Sequence, residues 1–380
     1  MTQPTALAPA AAAALLACAT LAAAPAAAQT TIRASTWHPP AHPGVVGGFE
    51  RFMDHVKQAS GGDLDFQFWS GGSLLGARDT LPGVENGIVD VGVLALTYFP
   101  AEFPHFQLIA DMAMLSDKPP AIAAAVAELM MLDCAPCRAD FEDKGLVFTS
   151  TYSTTPYTLI SKQRLASPED LKGKSYRSAG ALWDRWVESV GGTSVNVSAA
   201  EMFESLDRGG VDVAVFSPAA LKAYSLWDVA SYDVMLPLGV YAAMSLFTFN
   251  QGFWSDLDDD QRKVVLEGAA FGTMGVTYAY MRNDEEALAA AAEHGVEIVE
   301  PTPELTSQLA AFVESDLESL ARIARDRHGV ADPEPIIARY RELLEKWEAI
   351  YEETGGDQDA MTAALQREVY DKVDLASYGQ

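Results

Sequence analysis

The sequence predicts an α/β protein of two lobes with a helical C-terminal part. Three observations support this fold class. Patterns typical of strands alternate with patterns typical of helices, and one helix–glycine–strand step occurs twice. The chain of 380 residues is also long enough for two hydrophobic cores. No low-complexity linker separates the two copies of the step, so we expect chain segments that cross between the lobes to join them.

The first lobe begins with a regular alternation of strands and helices. A strand over residues 31–35 precedes a helix over 44–60, and a second strand over 63–68 precedes a helix from about 77 that ends at Gly87. Residues 88–94 are mostly β-branched and predict a buried parallel strand.

The step over residues 84–93 recurs over residues 206–215, about 120 residues later. In each copy a helix ends at glycine and a buried strand follows. Ligands of open α/β sheets bind beyond the carboxyl ends of the strands. Those ends are residues 95–98 and Phe216-Ser217, so we expect Tyr98, Phe216 and Ser217 beside a cleft between the lobes.

The C-terminal part is charged and helical, with amphipathic patterns over 304–325, 334–351 and 359–373 and a break at Gly355-Gly356. We therefore predict lobe I over residues 29–154 with a return segment over about 245–290. Lobe II is predicted over 155–244, together with the C-terminal helices over about 291–380.

The N-terminus is typical of an exported protein. No charged side chain precedes Arg33, and the Ala-rich run over residues 7–28 ends in small residues. These features predict a signal peptide over residues 1–28, cleaved near Ala28, and a periplasmic mature protein. A membrane anchor and a lipidated Cys18 are the alternatives. The formal net charge of -27 argues against a nucleic-acid partner.

The mature chain keeps two cysteines, Cys134 and Cys137, in the sequence Asp-Cys-Ala-Pro-Cys. Export favours a structural disulfide. A thiol oxidoreductase site and half of a zinc site are the alternatives. The pair follows a helical pattern over residues 120–132, which is not the early βαβ position expected of a redox motif.

The sequence contains no signature of an enzyme. It has no nucleophile elbow, zinc-protease motif, phosphate loop or dinucleotide fingerprint. Its six histidines do not occur at metal-binding spacing, and prolines prevent a helix between His38 and His42. We expect no enzymatic activity, no metal and no cofactor.

Arg177 is the candidate for ligand binding. It ends a short strand over residues 174–177, and a helix begins at about Ala181. A guanidinium can bind both oxygens of a carboxylate, and the first amides of a helix attract anions. An exposed surface arginine is the alternative.

Seven short motifs resemble the substrate-binding proteins of TRAP transporters, the tripartite ATP-independent periplasmic family. They occur in the family's order between Leu64 and Leu257. The motifs are residues 68–76, 84–92, 171–177, 191–193, 201–206 and 210–212, and Phe249-Asn250 followed by Phe253-Trp254 and Leu257. The resemblance implies the two-lobed periplasmic binding protein fold with a long helix spanning both lobes. It also implies closure around a small organic acid and delivery to the small and large subunits of a sodium-driven permease. Arg177 matches the family's carboxylate-binding arginine.

The chain departs from acid-sugar-binding members of that family. Tyr157 stands where they have a second arginine, and Ala95 and Tyr98 replace their Glu and Arg. We therefore expect a more aromatic cleft for a monocarboxylate or dicarboxylate with an apolar or aromatic body. The candidate residues beside Arg177 are Trp37, Tyr98, Tyr152, Tyr157, Trp183, Phe216, Ser217 and Asn250. A receptor for an ABC permease or a sensor kinase would share the lobes without the motif order.

Overall fold

The computed structural model describes residue 2 and residues 29–380. The predicted signal peptide, its cleavage near Ala28 and the alternative at Cys18 lie outside these described residues.

Eleven strands form two sheets. They are β1 (Thr30–Ser35), β2 (Leu64–Trp69), β3 (Val91–Ala95), β4 (Leu146–Phe148), β5 (Thr158–Ser161), β6 (Ser175–Arg177), β7 (Thr193–Val195), β8 (Val213–Phe216), β9 (Tyr232–Val234), β10 (Met244–Asn250) and β11 (Glu297–Val299).

The α-helices surround both sheets. They are α1 (Glu50–Ala59), α2 (Thr80–Glu85), α3 (Pro104–Asp111), α4 (Pro119–Glu128), α5 (Ala135–Glu142), α6 (Pro168–Leu171), α7 (Ala181–Ser189), α8 (Met202–Asp207), α9 (Ala219–Ala223), α10 (Gln251–Asp256), α11 (Asp259–Ala290), α12 (Pro303–Glu318), α13 (Leu320–Ile323), α14 (Glu334–Glu353) and α15 (Gln358–Glu368).

The first sheet has the order β2-β1-β3-β10-β4, and the second has the order β11-β9-β5-β8-β6-β7. In the first sheet β1, β2 and β3 run parallel, and β10 is antiparallel to both neighbours. In the second sheet β5 alone runs antiparallel to the strands beside it. The two-lobed α/β fold is confirmed.

Two extended segments join the sheets side by side. Thr154 N donates to Tyr241 O at 3.0 Å, and Tyr157 N donates to Gly239 O at 2.7 Å. The segment over residues 149–157 therefore runs along residues 238–246, which return to the first sheet. The long helix α11, with 32 residues, packs against α1 on one side and against α9 on the other.

The buried strand predicted over residues 88–94 begins later than expected. β3 starts at Val91, and Ile88 is 51% exposed. The cause is the turn at Gly87, where a positive φ of 66° sends the chain to the surface before it enters the sheet.

The C-terminal helices, which we predicted to accompany lobe II, contact helices of both halves. α14 packs against α4 and α15 against α11, whereas α12 contacts α6 of the second half. The apolar side of α14 needs an apolar partner, which the fully buried α4 supplies. Trp347 and Lys346 also hold Glu128 of α4, each at 2.7 Å. The lobe boundaries themselves stay a prediction.

Cys134 and Cys137 form a disulfide at the start of α5. Both cysteines are buried, at 2% and 0% exposure, and Cys134 Sγ accepts the backbone N–H of Cys137 at 3.2 Å. Such a bond closes a short loop and offers little access to an attacking thiolate, which fits a structural disulfide rather than a redox site.

Within residues 29–380, no single helix has the length and apolar composition needed to cross a membrane. One pair of helical segments, Pro119–Asp133 and Ala135–Glu142, reaches that composition only together, with a bend of 81° between them.

Candidate ligand-binding site

A cavity of about 290 Å³ lies between the two sheets. Its walls combine the carboxyl ends of strands from both sheets, the crossing segments and α11. The lining residues are Trp37, His38, Ala95, Tyr98, Tyr152, Thr154, Tyr157, Arg177, Ala199, Phe216, Tyr224, Tyr241, Met244 and Tyr280. Most of these residues are aromatic, and their side chains enclose the cavity from both sheets.

Arg177 is the last residue of β6, and its side chain is 1% exposed. Its Nε donates to Val197 O and its Nη1 to Val215 O, each at 3.1 Å. Its Nη2 donates to Tyr98 Oη, also at 3.1 Å. These three bonds fix the position of the guanidinium in the closed cavity.

The guanidinium lacks a counter-ion in the described part of the chain. No aspartate or glutamate there lies within 4.0 Å of it, whereas the other strongly buried arginines have such partners: two for Arg185 and one for Arg262. The face of Phe216 lies 5.3 Å from the guanidinium carbon and interacts with the cation. An unpaired buried cation is costly, and the carboxylate of a bound ligand would pair with it.

The first amides of α7 do not take the role that we expected for them. Ser178, Ala179 and Gly180 face a different cleft, with Asn196 and His328, and do not line the cavity. The side chain of Arg177 extends from the end of β6 toward Tyr98, whereas the start of α7 faces the cleft that contains Asn196 and His328.

Tyr98 links the two halves of the site. It follows β3 of the first sheet, yet its Oη accepts hydrogen bonds from Arg177 and from Ala199 N, the latter at 2.9 Å. Because the oxygen accepts both bonds, the hydroxyl proton stays available to a ligand. Arg78 covers the outer face of the ring at 5.2 Å and donates to Asn196 Oδ1 across the cleft at 2.8 Å.

Stacked aromatic rings form one wall. Tyr157 stacks on Phe216 with ring centroids 4.9 Å apart and lies parallel to Tyr241 at 6.1 Å. Burial raises the pKa of Tyr157 and of Tyr152 well above the ordinary value for tyrosine. Both hydroxyls are therefore neutral at physiological pH, and they can donate hydrogen bonds to a ligand.

His38 and His42 form a buried pair that sequence analysis did not assign to the site. Both are 0% exposed, and their rings stack with centroids 3.9 Å apart. Burial lowers the pKa of His38 to about 3, and burial together with His38 lowers the pKa of His42 well below its ordinary value. Both rings are neutral. In the part of the chain that the structure describes, no cluster of side chains is suited to holding a metal.

The structure brings together six of the nine residues expected at the site: Arg177, Tyr157, Phe216, Tyr98, Trp37 and Tyr152. Trp183 lies behind Tyr157, at 5.2 Å between ring centroids, and its Nε1 donates to Leu238 O. Ser217 is fully buried outside the lining, and its hydroxyl has no partner among residues 29–380.

Asn250, which was expected at the site, does not line the cavity. It caps α10, where its side-chain oxygen accepts Phe253 N at 3.0 Å and its amide donates to Val84 O at 2.9 Å. The end of β10 that carries Asn250 is the end remote from the cavity.

The lining residues that sequence analysis missed are His38, Ala95, Thr154, Ala199, Tyr224, Tyr241, Met244 and Tyr280. A signal existed for His38, since it follows β1 at the same sheet edge as Tyr98. Tyr280 lies in the middle of α11 and carries no comparable local signal.

This architecture is shared with known solute-binding proteins. The sequence model of the family described as bacterial extracellular solute-binding protein, family 7, matches residues 34–323. A solute-binding protein of Albidiferax ferrireducens is 20% identical over 254 residues, which cover 66% of this chain and 73% of that protein.

Two solved structures are similar in fold. One is a marine metagenome TRAP solute-binding protein specific for aromatic acid ligands, in complex with 3-hydroxybenzoate, with 18% identity and a TM-score of 0.74 over 84% of this chain and 99% of that chain. The other is an extracytoplasmic solute receptor of Bordetella pertussis that binds pyroglutamic acid, with 21% identity and a TM-score of 0.68 over 82% of this chain and 99% of that chain. Together with the family match over most of its length, the fold shows that this chain belongs to family 7 of the bacterial extracellular solute-binding proteins.

Proposed function

We propose that this protein is an extracytoplasmic receptor that encloses one small aromatic monocarboxylate between its two halves. In this proposal it delivers that ligand to the small and large membrane subunits of a TRAP-type permease. The observation that carries the proposal is the buried guanidinium of Arg177, which has no carboxylate partner within residues 29–380. One cation favours one carboxylate, so a monocarboxylate fits better than a dicarboxylate.

The remainder of the cavity suits an aromatic body. Its walls are rings, and two of them, Tyr157 and Phe216, already stack face to face at 4.9 Å. An aromatic ligand extends such a stack, and aromatic pairs contribute about 0.5–1.5 kcal/mol beyond the burial of area.

Entry of the ligand requires the halves to separate, because the lining side chains are buried. The two crossing segments over residues 149–157 and 238–246 are the places where this motion can bend the chain. Hydrogen bonds of Tyr98 and Arg78 cross the cleft and would form on closure. The permease partner rests on the family resemblance, and the export route rests on the N-terminal sequence.

A thermal-shift panel tests the proposal. Protein exported to the periplasm is unfolded, freed of bound solutes, refolded and heated with benzoate, phenylacetate, mandelate, pyroglutamate or glucuronate. At about 100 times its dissociation constant a ligand adds about 2.7 kcal/mol of stability, so binding raises the melting temperature. We expect the aromatic acids to do this and their neutral amides, such as benzamide, to have no effect. Equal shifts with acids and amides, or no shift with any acid, would overturn the proposal.

A further inference from the structure

Two routes of side-chain contacts lead from Arg177 to a pair of buried histidines. One chain of ring contacts leads away from Arg177 through Phe216, at 5.3 Å, to Tyr224, at 5.6 Å from Phe216. Tyr224 then meets His42 edge-on, with centroids 5.3 Å apart. This route ends at the histidine pair.

A second route runs along the other wall and reaches the same place. Arg177 bonds Tyr98, the ring of Tyr98 lies 6.4 Å from Trp37, and Trp37 lies 4.1 Å from His38. His38 stacks on His42 at 3.9 Å, so the second route meets the first at the histidine pair. Along either route, three contacts separate the guanidinium from the histidine pair.

Three polar atoms around the histidine pair lack partners. Nδ1 and Nε2 of His38 and the hydroxyl of Tyr224 are buried and make no hydrogen bond to any of the residues 29–380. Nδ1 of His38 packs against Gly44, so a ligand would meet Nε2 of His38 and the Tyr224 hydroxyl. His42 differs, because its Nδ1 accepts Gly44 N at 2.9 Å and its Nε2 lies 3.0 Å from Tyr280 Oη. Buried polar atoms are nearly always hydrogen-bonded in folded proteins, so unpaired ones beside an empty cavity indicate a missing partner.

The hydrogen-bonding capacity of His38 and Tyr224 indicates which ligand group could bind them. A neutral imidazole offers one N–H donor and one bare nitrogen acceptor, and the tyrosine hydroxyl can do both. A second carboxylate is disfavoured, because the only cation lining the cavity among the described residues is Arg177. An ammonium group would find no carboxylate there, and an apolar group would leave all three atoms unpaired. A hydroxyl group both donates and accepts.

We propose that the ligand is a hydroxylated aromatic acid, whose hydroxyl lies remote from its carboxylate and is recognised by His38 and Tyr224. This inference rests on the proposed function and deepens it. His38 and Tyr224 then determine specificity, since they distinguish a hydroxylated ring from an unsubstituted or methylated ring of the same shape.

Calorimetry with matched ligands tests the inference. The ligands are benzoate, 3- and 4-hydroxybenzoate, and 3- and 4-methylbenzoate, in which a methyl group replaces the hydroxyl at nearly equal size. The variants are His38→Phe, which keeps a ring against His42, and Tyr224→Phe, which removes one oxygen atom. Tyr340→Phe is the control, because Tyr340 is a buried tyrosine of α14 outside the cavity. Thermal melting verifies that each variant folds.

We expect wild-type protein and Tyr340→Phe to bind one hydroxybenzoate about tenfold more tightly than the corresponding methylbenzoate, the order expected of one added hydrogen bond. In His38→Phe the hydroxybenzoate and the methylbenzoate should bind with about equal affinity, while benzoate still binds. In Tyr224→Phe the preference for the hydroxybenzoate should become smaller.

The outcomes separate the two proposals. Tight binding of benzoate with equal affinities for hydroxyl and methyl analogues in the wild type overturns the inference and leaves the proposed function standing. A preference that survives in both His38→Phe and Tyr224→Phe also overturns it. Absence of binding by every one of these acids contradicts the proposed function itself.

Discussion

The guanidinium of Arg177 donates a hydrogen bond of 3.1 Å to the hydroxyl oxygen of Tyr98, and this bond joins the second sheet to the first inside the cavity. Arg177 ends β6, and Tyr98 follows β3. The two residues meet only when the halves of the protein are closed on one another. In the proposed function Arg177 binds the ligand carboxylate, and its bond to Tyr98 holds the closed cleft together. The first two predictions concern these two residues.

Arg177→Ala is expected to abolish ligand binding and leave the fold intact. Loss of one partner of a buried charge pair costs about 2–5 kcal/mol, or roughly thirty- to several-thousand-fold in affinity. Arg177→Lys restores only part of this, because an ammonium lacks the planar two-point fit to a carboxylate. Calorimetry with the best acid of the thermal-shift panel measures both variants.

The matched control is Arg322→Ala, whose side chain is 68% exposed and lies away from the cavity. Its affinity should equal that of the wild type. Near-normal affinity in Arg177→Ala would show that the arginine does not bind the ligand.

Tyr98→Phe is expected to weaken ligand binding with little effect on the stability of the unliganded protein. The phenyl ring cannot accept the bonds from Arg177 and Ala199, and each buried donor left unpaired costs about 1–3 kcal/mol. In an open form water would satisfy those donors, so the cost falls on the closed, liganded form. Calorimetry and denaturant unfolding measure the two quantities separately.

Tyr278→Phe is the control for this variant. Tyr278 donates to Gly356 O at 2.7 Å outside the cavity, so its loss should leave affinity unchanged. An unaltered affinity in Tyr98→Phe would contradict the role of its hydroxyl.

Asp316→Ala is expected to lower the free energy of unfolding by about 3–5 kcal/mol. Asp316 binds the buried Arg185 through two bonds, of 2.7 and 2.8 Å. Arg185 also lies 3.1 Å from Asp111, which His328 contacts at 2.7 Å. These residues connect α3, α7, α12 and the helical segment after α13, so removal of Asp316 leaves the buried Arg185 with Asp111 alone, which His328 also contacts.

Urea unfolding measures the effect. The comparison variant is Asp326→Ala, which removes an exposed pair 3.8 Å long with Arg322 and should change stability by at most about 1 kcal/mol. If the two variants unfold at the same urea concentration, the buried cluster contributes no more than a surface pair.

The free energy of unfolding of Asp233→Asn, measured relative to that of the wild type, is expected to increase as pH rises. Asp233 lies in β9 with 0% exposure, and burial raises the pKa of its carboxyl from 3.8 to about 7. Between these two values the folded state keeps a proton that the unfolded state has released. The wild type therefore loses stability as pH rises through this range, and the full loss is present above about pH 7.

The asparagine variant lacks this titration. Its free energy of unfolding minus that of the wild type should increase between about pH 5 and about pH 8, as followed by urea unfolding. A constant difference for Asp233→Asn across this range would mean that the carboxyl does not stay protonated in the fold.

Local patterns were enough to predict the fold class and the centre of the site. Strand and helix periodicity lies within short windows, and the carboxyl end of a parallel strand is by itself a predicted ligand edge. Tyr98, Arg177 and Phe216 follow or end such strands, and all three line the cavity. Their positions depend on a few neighbouring residues along the chain.

Other features of the site needed the tertiary structure. Trp183 and Tyr157 are equally plausible aromatic residues in the sequence, yet Tyr157 faces the cavity and Trp183 packs behind it. Asn250 belongs to a family-like motif, but in this chain it caps a helix. Such choices depend on the direction in which each side chain leaves its element and on what packs against it.

The sequence by itself determined the two-lobed α/β fold and the solute-binding family, because periodicity, strand ends and motif order are properties of neighbouring residues. Only the tertiary structure decided that Arg177 has no counter-ion within residues 29–380 and that His38 and Tyr224 line the same cavity. These residues are far apart along the chain. Their meeting depends on how the two sheets pack and close, a sum of long-range contacts that no local pattern contains.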